Sequence, residues 1–325
     1  MAGRGSVKEL AGLLGGAGPV YIQPHDFPDH DAVASAYGLG CLLQTQGVTS
    51  RLIYGGIIQR NSLKSLIRKL KIPLLQAGEV ALEPEDRIVV VDGMAGNRNV
   101  TDLTGREVAV IDHHDTGPPA DSPDLLYRDV RPNCGACATI IYDYFQALDL
   151  EPHHSVATAL LTGLLVDTAL LTRGVSEADV NAYAGLYRLA DVPFVNSLLR
   201  NKIQQKDLAF YQRALDRVRI RDRFAFCYFA EGCNQNLLGI IGDFFLSLAE
   251  VDFVLLCARN RTIVNFSVRS ELERWNAARI IRQVLAGVGF GGGHADMAGG
   301  VIPDSRSFDE EEVFQRTLRT LEGAG

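Results

Sequence analysis

Apolar residues follow two rhythms along this 325-residue chain. In the first, short apolar runs continue without a polar break: Pro19-Val-Tyr-Ile-Gln23, Arg51-Leu-Ile-Tyr54, Arg87-Ile-Val-Val-Val-Asp92 and Glu107-Val-Ala-Val-Ile-Asp112. Runs this short predict strands buried on both faces, as in parallel sheets. The last two each end in an aspartate. In the second rhythm, apolar residues return every three or four positions. Ser6 with Glu9 is a capping-box pattern ahead of Leu10, Leu13 and Leu14 and predicts a short first helix. Residues 32–46 read as an Ala- and Leu-rich helix, and 61–70 as a basic amphipathic one. Strands alternating with helices predict a doubly wound α/β domain. Ligands in such folds sit outside the carboxyl ends of the strands.

From about 136 to 217 the rhythm is mostly helical, clearest at 156–166 and 177–190. The polar stretch 196–217 reads as a helical connector. A second, smaller α/β unit follows, with strands near 224–230, 251–258 and 262–269 and helices near 235–248, 276–286 and 309–321. The predicted organisation is a first domain over 1–195, the connector over 196–217 and a second domain over 218–325. The site is expected in the cleft between domains. No internal repeat or low-complexity tract interrupts this pattern.

Hydrophobic residues make up 47% of the chain and charged residues 22%, which excludes disorder as the main state. No apolar run approaches the roughly 20 residues of a membrane span, and the opening residues lack a signal-peptide pattern. The expectation is a cytoplasmic protein that does not engage membranes. Six sparse cysteines then read as reduced thiols. Residues 1–195 carry 15 Lys+Arg against 23 Asp+Glu, whereas 196–282 carry 14 against 9. So confined a basic stretch argues against long duplex nucleic acid and suits a small anion. The acidic half could neutralise its charge by holding divalent metal.

Acids and histidines gather at element ends. His25-x-x-x-Asp29-x-Asp31 follows the first strand directly. Asp92 ends one apolar strand and Asp112-His113-His114 another. Asp167 closes an otherwise apolar helix, where a lone carboxylate is costly unless paired or metal-bound. Carboxylate and imidazole are the ligands that hard and borderline divalent metals take. Two ions about 4 Å apart can polarise a phosphoryl oxygen and activate a shared water.

This order, His, Asp-x-Asp, Asp, Asp-His-His, Asp, resembles the DHH phosphoesterase superfamily. The stretch Gly291-Gly292-Gly293-His294-x-x-x-Ala298-Gly299 resembles the DHH-associated C-terminal domain of its RecJ-like and nanoRNase (oligoribonuclease and pAp phosphatase) branches, and the length resembles the nanoRNase branch. The resemblance implies two divalent ions, usually Mn²⁺, with Mg²⁺ or Co²⁺ as substitutes. By that match His25, Asp29 and Asp92 would hold one ion, and Asp31, Asp92, His113 and Asp167 the other. His114 would contact the scissile phosphate, and Asp112 would support the histidine pair. Ser267, Arg269, Gly291, Gly292, Gly293 and His294 would hold the substrate's remote end.

The substrates this implies are short RNA, or a small nucleotide such as 3′-phosphoadenosine 5′-phosphate. The enzyme rivals are cyclic- or linear-dinucleotide phosphodiesterase, exopolyphosphatase and pyrophosphatase. The Gly-Gly-Gly-His motif argues against the last, whose relatives carry a different second domain. A nucleotide-binding regulatory protein would not need the complete ligand set. A homodimer is compatible with the sequence.

Other features read as structural. His30 is expected to face solvent between two ligands. The pair Cys134 and Cys137 lacks a second pair at zinc spacing, and reads as small residues opening the helix at 136. His153 and His154 read as helix-capping or surface residues. Trp275, Phe290 and the aromatics of 224–229 read as core. Many relatives have Gly and an aromatic after Asp167-Thr168; here Ala169-Leu170-Leu171 follows, which alters the pocket wall.

Overall fold

The computed structural model describes residues 6–16, 18–58, 60–97, 99–114, 125–200, 203–271 and 273–324. The chain forms two compact units, Met1–Asn201 and Lys202–Gly325. The stretch 196–217 is therefore divided. Its first part completes helix α7 (Val192–Arg200), whose Leu198 and Leu199 join the first core. Its last part is α8 (Leu208–Arg217), whose Ala214 joins a core of the second unit. Residues 201 and 202 lie outside the described residues. No described helix is long and apolar enough to cross a membrane.

The first unit holds β1 (Val20–Pro24), β2 (Ser50–Tyr54), β3 (Leu74–Gln76), β4 (Arg87–Val91), β5 (Arg106–Asp112) and β6 (Tyr127–Val130). They form one parallel sheet in the order β3-β2-β1-β4-β5-β6. One face packs Ile22, Val89, Val91 and Ile111 against helices α2 (His30–Thr45), α4 (Cys137–Ala147) and α5 (His154–Asp167). The other packs Tyr21, Ile88, Val90 and Val110 against Met94 and Val100. Burial on both faces is why these strands read as unbroken apolar runs. The unit is completed by α1 (Val7–Leu14), α3 (Asn61–Leu70) and α6 (Glu177–Leu189).

The order of the strands positions the site. The chain builds outward from β1 to β3, then returns to place β4 on the other side of β1. The β1/β4 boundary is the switch point at which such sheets open a crevice. Register aligns Pro24 with Val91, and Val91 with Ile111. The residues that follow, His25, Asp92 and Asp112-His113, therefore leave the sheet along one stretch of its carboxyl edge.

The capping box expected at Ser6 does not form, since Ser6 makes no side-chain cap bond. Burial of Val7, Leu10 and Leu14 holds α1 instead. The Arg87 guanidinium closes its far end, donating to Leu14 O and Gly15 O at 3.1 Å each.

The second unit is a mixed sheet, β11-β12-β10-β9-β8-β7, in which only β8 and β9 run parallel. Its strands are β7 (Arg219–Arg221), β8 (Phe224–Phe229), β9 (Phe253–Asn260), β10 (Ile263–Ser270), β11 (Phe290–Gly293) and β12 (Met297–Ile302). Helices α10 (Ala277–Val284) and α11 (Glu310–Glu322) cover one face, and α8 and α9 (Gln235–Leu246) the other. The glycine-rich stretch, which carried no strand signal, is the β11–β12 hairpin. A β-carbon on Gly291 would lie 2.9 Å from the Ile281 side chain, so glycine lets the hairpin lie close on α10. Trp275 and the phenylalanines of β8 are core as expected, but Phe290 is 52% exposed. It sits on an edge strand, with no further strand beyond it to cover it.

Candidate metal centre

Asp92, 2% exposed, is at the centre of the cluster. Its Oδ2 lies 3.8 Å from His25 Nε2, and its Oδ1 lies 3.4 Å from His113 Nε2. His113 Nε2 also lies 3.3 Å from Asp167 Oδ2. Three sets of side chains each bring one ligand atom apiece within 4.8 Å of one another: His25, Asp29 and Asp92; Asp31, His113 and Asp167; and Asp92, His113 and His114. All six sequence-selected metal residues therefore converge. Asp92 Oδ1 is buried and has no hydrogen-bond partner among the described residues, with His113 Nε2 facing it at 3.4 Å. A desolvated carboxylate oxygen in that state is costly unless a cation faces it. Asp92 also has φ 55°, a left-handed conformation that Asp tolerates better than most residues.

Asp29, Asp31 and His113 are each held from behind. Asp29 caps α2, its Oδ1 accepting from Asp31 N at 3.0 Å and Ala32 N at 3.2 Å. Asp31 lies at the start of α2 and also meets the start of α4. Its Oδ2 accepts from Cys137 N at 2.6 Å, and its Oδ1 from Ala138 N at 2.9 Å. Two unsatisfied helix-start N–H groups thus orient a buried carboxylate. His113 Nδ1 lies 3.2 Å from Cys134 O. A ring N–H donated there leaves Nε2 as the ligand nitrogen, the usual arrangement behind metal-binding histidines.

Asp112 has a different task. Its Oδ1 accepts from His113 N at 2.8 Å and His114 N at 3.2 Å, and lies 2.7 Å from His114 Nδ1. One carboxylate oxygen therefore fixes the turn that carries both histidines and sets the His114 ring.

The titration behaviour is that of a cluster short of positive charge. Burial, with the charges of Asp92 and Asp167, raises Asp31 well above the usual carboxylate range. Burial and Asp29 raise Asp167, which also sits at a helix carboxyl end, where negative charge is disfavoured. Burial opposes a charged His113, but Asp167 and Asp92 outweigh it and hold the ring well above its ordinary value. Burial likewise opposes His114, and hydrogen bonding to Asp112 with the charge of Asp92 raises it. Asp92 is lowered: burial works against its charge, and His113, His114 and His25 outweigh that.

The donor set fits a hard or borderline divalent ion. A soft, thiolate-bound ion does not fit. Burial pushes the Cys134 thiol up to about 11 and raises Cys137 further above its ordinary value. Both cysteines are buried and free, and the second opens α4.

One expectation is corrected here, and two contributors were not read from the pattern. His30 is 3% exposed, not solvent-facing, because α2 is packed into the core from its first turn. His153 caps α5 as expected, its Nδ1 accepting from Ser155 N. The sequence pattern did not reveal that the small residues Cys137 and Ala138 deliver N–H groups to Asp31. It also missed Asp179, which is fully buried. Asp179 accepts from Gly135 N at 2.9 Å and Thr139 Oγ1 at 2.5 Å, so it braces the loop that carries Cys134 O. The Ser176-x-x-Asp179 spacing is a capping box and was the available signal. After Asp167, Ala169, Leu170 and Leu171 are all left-handed, at φ 46°, 64° and 62°.

In the second unit, register lines up Ser267, Gly299 and Gly292 across three strands, with Arg269 two residues beyond Ser267 on the same face. Arg269 is buried, donating to Asp243 Oδ1 at 2.5 Å and to Ser267 Oγ at 3.2 Å. A β-carbon on Gly292 would meet nothing within 4 Å, so backbone is open there. Gly291 serves packing. Gly293, at φ 138°, serves the hairpin turn, and His294 is exposed in that turn.

Fold and site together define an α/β protein with a carboxylate–imidazole cluster at the switch point of a parallel sheet. The DHH family, N-terminal domain model matches residues 19–164, and the DHHA1 domain model matches 221–323. The chain belongs to the DHH phosphoesterase superfamily. It is 31% identical over 288 residues to the uncharacterized protein MJ1633 of Methanocaldococcus jannaschii, covering 88% of this chain and 58% of that protein. It is 26% identical over 172 residues to a probable manganese-dependent inorganic pyrophosphatase of Lactiplantibacillus plantarum, covering 52% of this chain and 55% of that one. It thus spans little more than half the length of either relative. An exopolyphosphatase-related protein from Bacteroides fragilis has a similar fold, with TM-score 0.78 at 18% identity over 98% of this chain and 95% of that one.

Proposed function

We propose that the chain is a metal-dependent phosphoesterase that hydrolyses short oligoribonucleotides, with 3′-phosphoadenosine 5′-phosphate as a second substrate. The carrying observation is the convergence of His25, Asp29, Asp31, Asp92, His113 and Asp167 around a buried carboxylate oxygen that has no hydrogen-bond partner among the described residues. His25, Asp29 and Asp92 would hold one ion, and Asp31, Asp92, His113 and Asp167 the other. Mn²⁺ is the favoured ion on its donor preference and on the manganese dependence in the name of the pyrophosphatase relative. When bound, such a pair supplies Lewis acidity and a water that ionises near neutral pH.

The chain's own residues do the rest. Asp112 fixes the His114 ring through Nδ1, so Nε2 would donate to a phosphoryl oxygen. The N-termini of α2 and α4 orient Asp29 and Asp31, so the ligands need little rearrangement to receive cations. The match of residues 221–323 to a DHHA1 domain favours a nucleotide over pyrophosphate, since the pyrophosphatase match covers about half of this chain. Ser267, Arg269, Gly292 and His294 would hold the remote end of that nucleotide.

The test is a Mn²⁺-supplemented panel of RNA of two to twelve nucleotides, 3′-phosphoadenosine 5′-phosphate, cyclic di-AMP, pGpG, polyphosphate and pyrophosphate, compared by kcat/KM. The expected ranking puts di- to tetranucleotides first. Cyclic di-AMP or polyphosphate ranking first would replace the substrate assignment. No hydrolysis of any member by metal-loaded protein would overturn the enzyme reading.

A further inference from the structure

A pocket of about 530 Å³ opens in the first unit, lined by Tyr54, Ile57, Ile67 and Leu74 with Lys64 and Arg68. Among the described residues, none that lines it is acidic. Tyr54 ends β2 and pairs with Gln76 of β3, so the pocket lies at the carboxyl end of β2. The metal cluster leaves the same edge of the same sheet. A direct link joins the two: Ile57 N donates to Asp26 O at 2.9 Å, and Asp26 is the neighbour of His25. Glycine is needed at 56, where a β-carbon would collide with Asp26 O. The pocket loop is thus held against the loop that carries the first two ligands. Phe27, the next residue, is 57% exposed, and Ile57 is 62% exposed.

Lys64 and Arg68 stand four residues apart on α3, both exposed, and neither has an ion-pair partner among the described residues. Like charges at that spacing repel and destabilise a helix. Here they do so within a unit whose residues 1–195 hold 15 Lys+Arg against 23 Asp+Glu, so carboxylate partners were available to the sequence. The combination of an aromatic and aliphatic wall with two uncompensated cations matches a base and a phosphate together. The volume is within the roughly 300–1,000 Å³ of small-ligand sites.

We propose that this pocket is a nucleotide subsite of the first unit. It would take the nucleoside monophosphate unit next to the phosphate being cut, with Tyr54 and the isoleucines against the base and Lys64 and Arg68 on its phosphate. The assignment rests on the phosphoesterase reading for its purpose, but its occupancy can be tested without catalysis. The full chain, stripped of metal by chelation, is titrated calorimetrically with 5′-AMP, adenosine and inorganic phosphate. Expected is a saturable 5′-AMP site that is weakened at least tenfold in Lys64→Ala/Arg68→Ala and retained in Arg269→Ala, with adenosine and phosphate each at least tenfold weaker than 5′-AMP. Arg221→Ala, which removes an exposed cation elsewhere, is the charge control. Melting and circular dichroism establish that the double variant is folded; alanine suits a helix surface.

Unchanged 5′-AMP affinity in the folded double variant, or loss of binding in Arg269→Ala instead, overturns the subsite. Phosphate binding as tightly as 5′-AMP overturns its nucleotide character. Wild-type hydrolysis of bis(p-nitrophenyl) phosphate with Mn²⁺ is measured separately. Hydrolysis without 5′-AMP binding removes the subsite alone, and 5′-AMP binding without hydrolysis removes the enzyme reading alone.

Discussion

A β-carbon on Gly163 would lie 2.8 Å from both the Cα and the Oδ1 of Asp31. Helix α5 therefore presses bare backbone against a candidate metal ligand at the start of α2. Gly163→Ala should raise intrinsic helix preference by about 1 kcal/mol, yet push Asp31 off its position. Expected is a loss of Mn²⁺ affinity of about 10–100-fold, the scale seen when the support of a metal ligand is disturbed. Metal titration with a parallel melt checks this. A higher Tm with unchanged Mn²⁺ affinity would show that Asp31 has room to spare.

Asp92→Asn keeps the shape of the side chain, and Asn accepts the left-handed backbone at φ 55°. It removes the charge that His25 and His113 face, and replaces one of the two acceptor oxygens with an amide NH2 that cannot bind a cation. Activity should fall by about 10²–10⁴-fold, from several kcal/mol of lost transition-state stabilisation. The stoichiometry of bound Mn²⁺ should fall with it. Two retained ions with near-normal kcat would exclude a bridging role.

Stability of the metal-free protein should decline with rising pH. Asp31 and Asp167 are raised by burial and neighbouring carboxylates, and His113 is raised by Asp167 and Asp92 despite burial. A raised group contributes stability that is complete below its unfolded value, about 3.9 for Asp and 6.5 for His, and lost as pH climbs through the raised value. Asp92 is lowered and acts in reverse, its contribution fading only as pH falls below the ordinary carboxylate range. Between about pH 5 and 8 the chelated protein should therefore lose Tm. Metal displaces the bound protons, so the Tm gain from Mn²⁺ should be larger at pH 8 than at pH 6. Melts with and without metal at four pH values decide it; a gain that shrinks with pH contradicts the proton-for-metal exchange.

Removing Arg269 or His294 should separate two kinds of substrate. On a dinucleotide, losing one charge-assisted hydrogen bond corresponds to about 1.5–3 kcal/mol, or roughly 10–150-fold in kcat/KM. On bis(p-nitrophenyl) phosphate the change should be under about threefold. Arg269→Ala also frees Asp243, which is half exposed and can be rehydrated. Equal losses on both substrates with metal still bound would make these residues part of the chemistry.

Short substrates predict a weak salt response. With one to three phosphate contacts, log Kd should rise with log salt at about 0.7 per contact for a single strand. A slope that implies six or more contacts, with 20-mers cut faster than dimers, would point to a long-strand nuclease.

Much of this site was readable in one dimension, for a physical reason. Parallel strands buried on both faces must be continuous apolar runs, so the acids that end them at 92 and 112 were conspicuous. Asp167 was conspicuous in the same way, as one charge closing an apolar helix. Local pattern could not set the strand order β3-β2-β1-β4-β5-β6. That order alone brings His25, Asp92 and His113 to adjacent positions on one edge, because nonlocal pairing decides which strand ends are neighbours. The supports were hidden for the same reason. Cys134 O, the N–H groups of Cys137 and Ala138, and the bare surface of Gly163 act through backbone, which every residue type shares. His30 was misread because burial depends on what packs over a residue, and α2 is covered from its first turn. The glycines of 289–300 signalled freedom of backbone. Only the approach of α10 and the pairing of β11 with β12 determined that most of that freedom is used for close packing, leaving Gly292 open beside Ser267 and Arg269.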